Sequence, residues 1–374
     1  MEKLKSRLHL PEDIIAEEIL PRLPVKSVLR LRCVSKAWRC IIGSERFMKI
    51  HLQYSAKSKA RGSVICGCVK LHHFSVEWLL KEAMNCRKLS VPMEDISVVD
   101  GLVCTSRSCG SLLVPMMGVG VVGCCNGLVC MKSKSRERIF LWNPSTRMSK
   151  ELPIGRVSVS RSTATGFGFS SSYNYKVCVF GDSGSGSGQR SVFEVYSSKT
   201  NSWKTMDNDL QISLCGEGQF VSGKIHWIRG RMSINPDIVS LDLKSEVLGV
   251  MEQPLPRGHW CDGAVVLLGV LEGSLCLVST DYEKRLDVWV RKEEDHWFHM
   301  VAAVSLLPGY KRNLMRYQFP DSFLAPPNGQ IWLGYGSGYL AYDPKHKLLF
   351  PFKRIQGGSG FFKLHLCLET LATL

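Results

Sequence analysis

Two hydrophobic patterns divide the chain. Within the first fifty-odd residues, apolar positions recur at helical spacing: Ile14, Ile15 and Ile19 form one stripe, while Glu17 and Glu18 face away from it. Beyond about residue 55, short alternating strands separated by Gly and Asn turns replace this pattern. The sequence therefore predicts an α+β multidomain protein, with a small all-α unit followed by a large all-β domain.

Turn and cap residues divide the N-terminal unit into short helices. Pro11 suits the first turn of a first helix, and Pro24 restarts the chain as a second. Ser35 is a good N-cap for a third helix, with Trp38, Ile41 and Ile42 facing inward, and Phe47, Ile50 and Leu52 continue into a fourth. A unit this small buries little surface alone, so it is expected to lean on a partner.

A glycine-led unit recurs in the all-β part. It reads as a small or polar residue, Gly and then an alternating strand, at Asn126-Gly127, Ser222-Gly223, Glu272-Gly273 and Asn328-Gly329. The glycines are 96, 50 and 56 residues apart, and the long first gap is expected to hold a less regular unit around Phe167–Val179. A period near 50 residues is typical of kelch-like β-propellers. About 315 residues at this period predict six blades, with seven as the alternative.

The charge pattern bears on the kind of partner, and the cysteine content bears on the cellular compartment. The net charge is +15, but the cations are scattered pairs, so nucleic acid is not expected as a partner. Fifteen cysteines without an apolar leader predict free thiols in the cytoplasm, the nucleus or both. The uncharged stretch between Arg107 and Lys132 contains Pro and several Gly, which predicts two buried strands rather than a membrane span.

Candidate chemistry is sparse. Cys66, Cys68, His72 and His73 could be interpreted as a metal site, but their spacing is not that of a zinc knuckle. The run Gly181–Gly188 lacks the Lys-Ser/Thr of a phosphate loop and the pattern of a nucleophile elbow, so it is interpreted as a loop. No catalytic residue, metal or cofactor is predicted.

The N-terminal motifs resemble a plant F-box, predicted over residues 5–54. The matching segments are Leu10–Ile15, Leu23–Leu29 and Arg32–Trp38. An F-box docks its protein on the Skp adaptor of a cullin-RING ubiquitin ligase. The resemblance implies that the adaptor-binding residues are Leu10, Pro11, Ile14, Leu23, Pro24, Val34, Ser35 and Trp38.

The remainder, residues 55–374, resembles the plant F-box-associated domain, which is related to kelch repeats. Matching pieces occur in order at residues 121–130, 141–147, 192–204, 220–228, 268–277, 286–297 and 364–374. The sequence departs from the family pattern at 170–174, where acidic residues are replaced, and over roughly 60–118.

Together these resemblances imply a non-catalytic substrate-recognition subunit of an SCF-type ubiquitin ligase. Its expected partners are a Skp-family adaptor, through it a cullin, and an unidentified protein substrate, with no nucleic acid and no membrane. The alternatives are an adaptor-binding protein that delivers no substrate and a propeller enzyme with an unrelated helical cap. Turn-rich stretches nominate four residues for substrate contact: Arg229, Arg231, Trp260 and Tyr310.

Overall fold

The computed structural model describes the N-terminal helices and most strands of the following domain. The described residues are 11–58, 62–67, 71–75, 88–89, 94–99, 102–105, 119–133, 137–160, 163–171, 174–182, 191–206, 214, 216–229, 237–254, 265–280, 285–292, 296–305, 322–326, 328–335, 338–355 and 363–374.

The N-terminal part is helical, as predicted. Its elements in chain order are α1 (Glu12–Ile14), a π-helical turn (Ile15–Ile19), a 3-10 turn (Leu20–Arg22), α2 (Val25–Leu31), α3 (Lys36–Ile42) and α4 (Glu45–Lys57). The predicted N-cap is confirmed, because the Ser35 hydroxyl accepts a hydrogen bond of 3.1 Å from the Trp38 amide. Ser44 caps α4 in the same way, through the Phe47 amide at 3.2 Å. Helix α4 continues across the predicted domain junction at residues 54–55.

The remaining chain forms antiparallel sheets, each a run of neighbouring strands. The first two consist of β6 (Val119–Cys125), β7 (Leu128–Ser133), β8 (Arg138–Asn143) and β9 (Met148–Glu151), and of β10 (Ala164–Ser171), β11 (Asn174–Asp182), β12 (Ser191–Ser197) and β13 (Ser202–Met206). The next two consist of β14 (Gln219–Val221), β15 (Lys224–Arg229), β16 (Asp237–Asp242) and β17 (Val247–Met251), and of β18 (Val265–Leu271), β19 (Ser274–Thr280), β20 (Arg285–Lys292) and β21 (His296–Ser305).

Two further sheets contain five strands each. One joins β22 (Ser322–Leu324), β23 (Ile331–Tyr335), β24 (Gly338–Asp343) and β25 (Leu348–Ile355) to the short parallel strand β3 (Lys88–Leu89). The other has the order β26 (Lys363–Leu368), β1 (Gly62–Gly67), β2 (Leu71–Ser75), β4 (Glu94–Val99) and β5 (Leu102–Thr105).

The sheets surround one ring. Each first strand contacts the first strand of the next sheet, in the order β6, β10, β14, β18, β22, β26 and back to β6. Strand β26 pairs antiparallel with β1, from Gly62 opposite Leu368 to Gly67 opposite Lys363. Strands from both ends of the chain therefore complete this sheet. This pairing covers two sheet edges that would otherwise be open.

The predicted number of blades needs correction. Five sheets are regular blades built on four consecutive antiparallel strands, rather than the six or seven expected from the repeat length. The sixth sheet is built differently, because its first strand comes from the C-terminal end and the other four come from residues 62–105. The estimate from chain length and repeat length included this mixed sheet as a further regular blade.

The glycine-led units are tight hairpin turns. Asn126 and Gly127 both have positive φ, of 48° and 78°, and join β6 to β7. Ser222-Gly223 and Glu272-Gly273 repeat this geometry between the first two strands of two later blades. Two successive positive φ angles define the type I′ turn, whose twist matches that of a hairpin. In three blades the repeat in the sequence is thus the turn between the first two strands, whereas at Asn328-Gly329, ahead of β23, only Gly329 has positive φ.

The core lies between neighbouring blades. Apolar side chains of β7, β8, β10 and β11 form one cluster, and those of β18–β20 with β23 and β24 form another. Trp142, Trp227 and Trp332 are among the largest fully buried side chains. The predicted strands within the uncharged stretch 107–132 appear as β6 and β7, and its residues 107–118 lie outside the described residues. Within the described ranges, no helix has the length and apolar character needed to cross a membrane.

Candidate functional site

The predicted adaptor-binding residues fall into an exposed group and a half-buried group. Pro11, Ile14, Pro24, Val34 and Ser35 are exposed at helix starts and at the turn between α2 and α3. Leu23 and Trp38 are half-buried, and both pack against the helical core. Leu10 lies outside the described residues.

Val34 is the most exposed of the described aliphatic side chains in this set, with 61% of its surface accessible to solvent. Ile14 is 44% exposed and Ile19 is 39% exposed, so three large aliphatic side chains of the helical part face solvent. Ile19 was absent from the predicted set, because its place in the apolar stripe indicates an inward-facing side chain. Aliphatic groups displayed in this way lose water favourably when a partner covers them.

Trp38 packs at the edge of the helical module's core rather than at its centre. The buried centre is formed by Leu20, Val25, Val28, Ile42 and Phe47, and Trp38 packs beside it with Ile41. The expectation that Trp38 faces inward is confirmed, but its side chain is only half-buried.

The helical core also contains a residue from the far end of the chain. Leu371 is buried in the same cluster as Val25 and Val28. The backbone amide of Val25 donates a hydrogen bond of 3.2 Å to Glu369 Oε2, at the first turn of α2. A carboxylate at a helix start also interacts favourably with the helix dipole. The C-terminal segment Glu369–Leu374 therefore packs directly against the helical module.

The same segment is fixed to the propeller on its other side. Asn143, which is fully buried, donates from Nδ2 to the carbonyl oxygens of Thr370 at 3.2 Å and Ala372 at 2.8 Å. The Thr370 amide donates to Ser145 Oγ at 3.2 Å. Ala372 is part of the core between the first two blades. Helices and propeller are thus joined through one short segment.

Of the four predicted substrate residues, Arg229 alone lies within the described structure. Arg229 ends β15, is half-buried and forms an ion pair with Asp237, its register partner at the start of β16. Arg231, Trp260 and Tyr310 lie outside the described residues.

A cleft beside the loop after β9 is a feature that sequence reasoning missed. It occupies about 360 Å³ and is lined by Pro153, Ile154, Arg156 and Trp203 among others. The buried Glu194 carboxylate holds the loop by accepting hydrogen bonds from the amides of Arg156 at 2.7 Å and Val157 at 3.0 Å. Nothing in the sequence of this loop distinguishes it from an ordinary connection, because its shape depends on Glu194 from β12.

Burial holds two cysteine thiols and one histidine of the described core in their neutral forms. Burial raises the pKa of the Cys178 and Cys276 thiols above their usual range, which disfavours the nucleophilic thiolate. Burial, with a smaller contribution from the charges of Arg291 and Lys224, lowers the pKa of His226 to about 4. No group of three or more His, Cys, Asp or Glu side chains is arranged to hold a metal ion among the residues described. The register places Cys66 opposite His72, but their side chains are outside the description.

Comparisons with known proteins agree on both parts of the chain. A model of the F-box domain matches residues 8–50, and a model of the F-box associated beta propeller domain matches residues 78–320. An F-box/kelch-repeat protein of Arabidopsis thaliana is 26% identical over 294 residues, covering 76% of each chain. An F-box protein of the same plant is 29% identical over 378 residues, covering 90% of this chain and 85% of the relative.

Proposed function

Because the chain belongs to the F-box proteins that carry an F-box-associated β-propeller domain, we propose that it is the substrate-recognition subunit of an SCF-type (Skp–cullin–F-box) E3 ubiquitin ligase. The F-box helices bind a Skp-family adaptor, and a face of the propeller binds the protein to be ubiquitinated. The chain performs no chemistry itself, since the cullin-bound RING and its E2 transfer ubiquitin.

The observation that carries the proposal is the display of aliphatic side chains on a small helical module. Val34, Ile14 and Ile19 are exposed, whereas the module's buried core already contains Leu20, Val28 and Phe47. These side chains lie outside the module's buried core, so their exposed apolar surface remains available to a binding partner. Ser35, the residue after Val34, caps α3 and fixes the turn that presents Val34, and Pro24 fixes the start of α2.

The attachment of the helices to the propeller supports a delivery role. A substrate held at a defined distance from the adaptor reaches the E2 at a high effective concentration. Leu371 packs in the helical core, and Asn143 of β8 holds the residues on both sides of it through their carbonyl groups. An arrangement of this kind limits how far the propeller can swing relative to the adaptor.

The two alternatives remain distinguishable. A protein that binds the adaptor without delivering substrate would need the same helices, so only the fate of a captured protein separates it from a receptor. A propeller enzyme would need an assembled site, and the buried His226 and cysteine thiols are held neutral instead. We further propose that the protein works in the cytoplasm, the nucleus or both, as the described free cysteines suit a reducing compartment.

The test is adaptor binding by a Val34→Asp variant. A carboxylate at this exposed position should reduce affinity for a recombinant Skp-family adaptor by about tenfold or more, because it replaces buried apolar contact with an uncompensated charge. The fold should be unaffected, since surface substitutions usually change stability by no more than about 0.5 kcal/mol. Affinity is measured by titration calorimetry and folding by circular dichroism.

Ile154→Asp provides the matched control, because Ile154 is an exposed aliphatic residue of the propeller. It should bind the adaptor like the wild-type protein. Equal binding by the Val34→Asp variant, or none by the wild-type protein, would contradict the proposal. A bound protein whose level rises when the cullin is depleted would then establish delivery, and mass spectrometry of proteins captured during proteasome inhibition would identify it.

A further inference from the structure

The charges of the F-box module are unevenly distributed. Between Ile19 and Ser44 the sequence contains six cationic side chains and no acidic one. They are Arg22, Lys26, Arg30, Arg32, Lys36 and Arg39. This local excess differs from the scattered cationic pairs of the propeller.

Within the described residues, five of these cations have no counter-charge. Arg22 is paired with Glu18 at 2.5 Å, and on α4 Arg46 is paired with Glu17 at 2.5 Å. Lys26, Arg30, Arg32, Lys36 and Arg39 are exposed, and none of them forms an ion pair with any residue in the described part of the chain. We call these five residues the α2–α3 cationic surface.

The five cations lie on α2, on α3 and in the turn between them, which contains Val34. Lys26 and Arg30 are four residues apart on α2, and Lys36 and Arg39 are three apart on α3, so each pair lies on one side of its helix. Arg32 and Lys36 stand two residues before and after Val34, in the turn whose geometry the Ser35 cap fixes. An apolar contact residue surrounded by charged groups is the usual arrangement of a protein interface, with a dry centre and a polar rim.

We propose that the surface which receives the α2–α3 turn is an acidic face of the adaptor protein, whose carboxylates pair with Arg32, Lys36 and their neighbours around Val34. This inference rests on the proposed function and specifies the chemistry of the partner. Free cations on one partner favour a complementary negative patch on the other, which raises the association rate and excludes cationic or neutral partners. On the α1–α4 side, Glu17 and Glu18 already pair with Arg46 and Arg22, so the charge pairing is proposed for the α2–α3 side alone.

A protein partner explains the surface better than a nucleic acid does. A nucleic-acid site needs a continuous basic groove or stripe that follows the phosphates. Here the exposed aliphatic Val34 lies between Arg32 and Lys36, and Trp38 is half-buried in the module's own core rather than displayed for base stacking.

The experiment compares two double charge reversals in the full-length chain. Arg32→Glu with Lys36→Glu alters the proposed contact, while Lys57→Glu with Lys199→Glu makes the same change in net charge at exposed sites elsewhere. Titration calorimetry against a recombinant Skp-family adaptor should show about a tenfold or greater loss of affinity for the first variant at low salt, and less than about a twofold change for the second. Wild-type affinity should fall about tenfold between roughly 50 and 500 mM NaCl.

Adaptor binding that is unaffected by salt and equal in both double variants would overturn the acidic-face inference while leaving adaptor binding itself intact. No binding by the wild-type protein at any salt concentration would refute the proposed function and this inference together. If Arg32→Glu with Lys36→Glu instead abolishes binding of a short fluorescent RNA or of anionic vesicles and spares the adaptor, the cationic surface has a different partner and the inference is wrong.

Discussion

His226 is a buried side chain that makes the stability of the propeller depend on pH. It lies on β15 beside Trp227, is 3% exposed, and its Nδ1 is 3.3 Å from the Gln219 carbonyl oxygen. Burial is the largest reason why its pKa is lowered to about 4, and the nearby charges of Arg291 and Lys224 act in the same direction. The hydrogen bond to Gln219 opposes this shift without reversing it.

We expect the propeller to lose stability as the pH falls from about 6.5 towards 4. Above pH 6.5, His226 is neutral in both the folded and the unfolded chain, so it has no effect there. Between the two pKa values His226 is protonated in the unfolded chain but not in the folded chain. This difference lowers the free energy of unfolding by about 2 kcal/mol at pH 5. Below pH 4 both states are protonated and this loss becomes constant.

Denaturant unfolding at pH 7.5 and pH 5.0 of the wild-type protein and a His226→Gln variant measures this contribution. The variant lacks the titrating group but keeps a hydrogen-bonding side chain. Over the same pH interval its free energy of unfolding should therefore fall by about 2 kcal/mol less than that of the wild-type protein. Equal losses in the two proteins would show that His226 is accessible to protons in the folded state.

Individual residues were predictable from the sequence where the cause is local. The Ser35 cap depends on the three residues that follow it, and the structure has the hydrogen bond that the sequence predicts. The exposed fraction of a side chain depends instead on residues that are distant in the sequence, so it is harder to predict from the sequence. Trp38 faces inward as predicted, yet it remains half-buried because Leu20, Val25, Val28 and Leu371 fill the centre of the cluster.

At the scale of elements, the first helix deviates from its predicted form. A regular α-helix would place Ile15 and Ile19 on one inward stripe, but residues 15–19 form a π-helical turn, in which hydrogen bonds join residues five apart. Ile15 packs against the core, whereas Ile14 and Ile19 are exposed. A prediction from 3.6-residue periodicity cannot detect this change of register, which exposes residues suited to a partner.

The hairpin turns offer a matched pair of glycines. Gly127 and Gly223 both follow a residue with positive φ and have φ of 78° and 81° themselves. A Cβ on Gly223 would meet nothing within 4 Å, whereas one on Gly127 would lie 2.4 Å from Thr370 Cγ2 and 2.5 Å from the Leu368 carbonyl oxygen. The C-terminal segment packs over Gly127 and not over Gly223.

We expect Gly223→Ala to destabilise the propeller by about 1–2 kcal/mol, the cost of a side chain in the left-handed region. Gly127→Ala should cost about 1–3 kcal/mol more, because the added methyl group must displace Thr370 or the backbone at Leu368. Thermal unfolding of both variants measures the difference. Equal destabilisation would mean that the C-terminal segment does not press on this turn.

Across the whole molecule, sequence and structure agree best on the part that repeats. The glycine-led turns and strand pairs are local, so the five regular blades could be recognised from their motifs. The mixed sheet and the junction to the helices depend on residues from opposite ends of the chain, such as Val25 and Glu369. Their pairing leaves no periodic pattern, and for this reason the blade count was wrong and the role of Leu371 was missed.

The C-terminal region performs two tasks that two truncations should separate. Removal of residues 361–374 deletes β26, which exposes the edge of β1 and opens the ring between β22 and β6. We expect this protein to be insoluble or rapidly cleaved by protease throughout the propeller, because unpaired sheet edges promote aggregation. A protein that melts like the full-length chain would contradict closure by β26.

Removal of residues 369–374 alone leaves β26 and the ring in place but takes Leu371 from the helical core and removes the carbonyl acceptors of Asn143. The buried Asn143 amide then lacks its partners, which should lower propeller stability by about 1–3 kcal/mol without unfolding it. The helices lose their attachment, so trypsin should release them near Lys57 much faster than from the full-length protein. Small-angle scattering should show a larger radius of gyration before cleavage. An unchanged radius and cleavage rate would mean that the F-box is held to the propeller by contacts other than this segment.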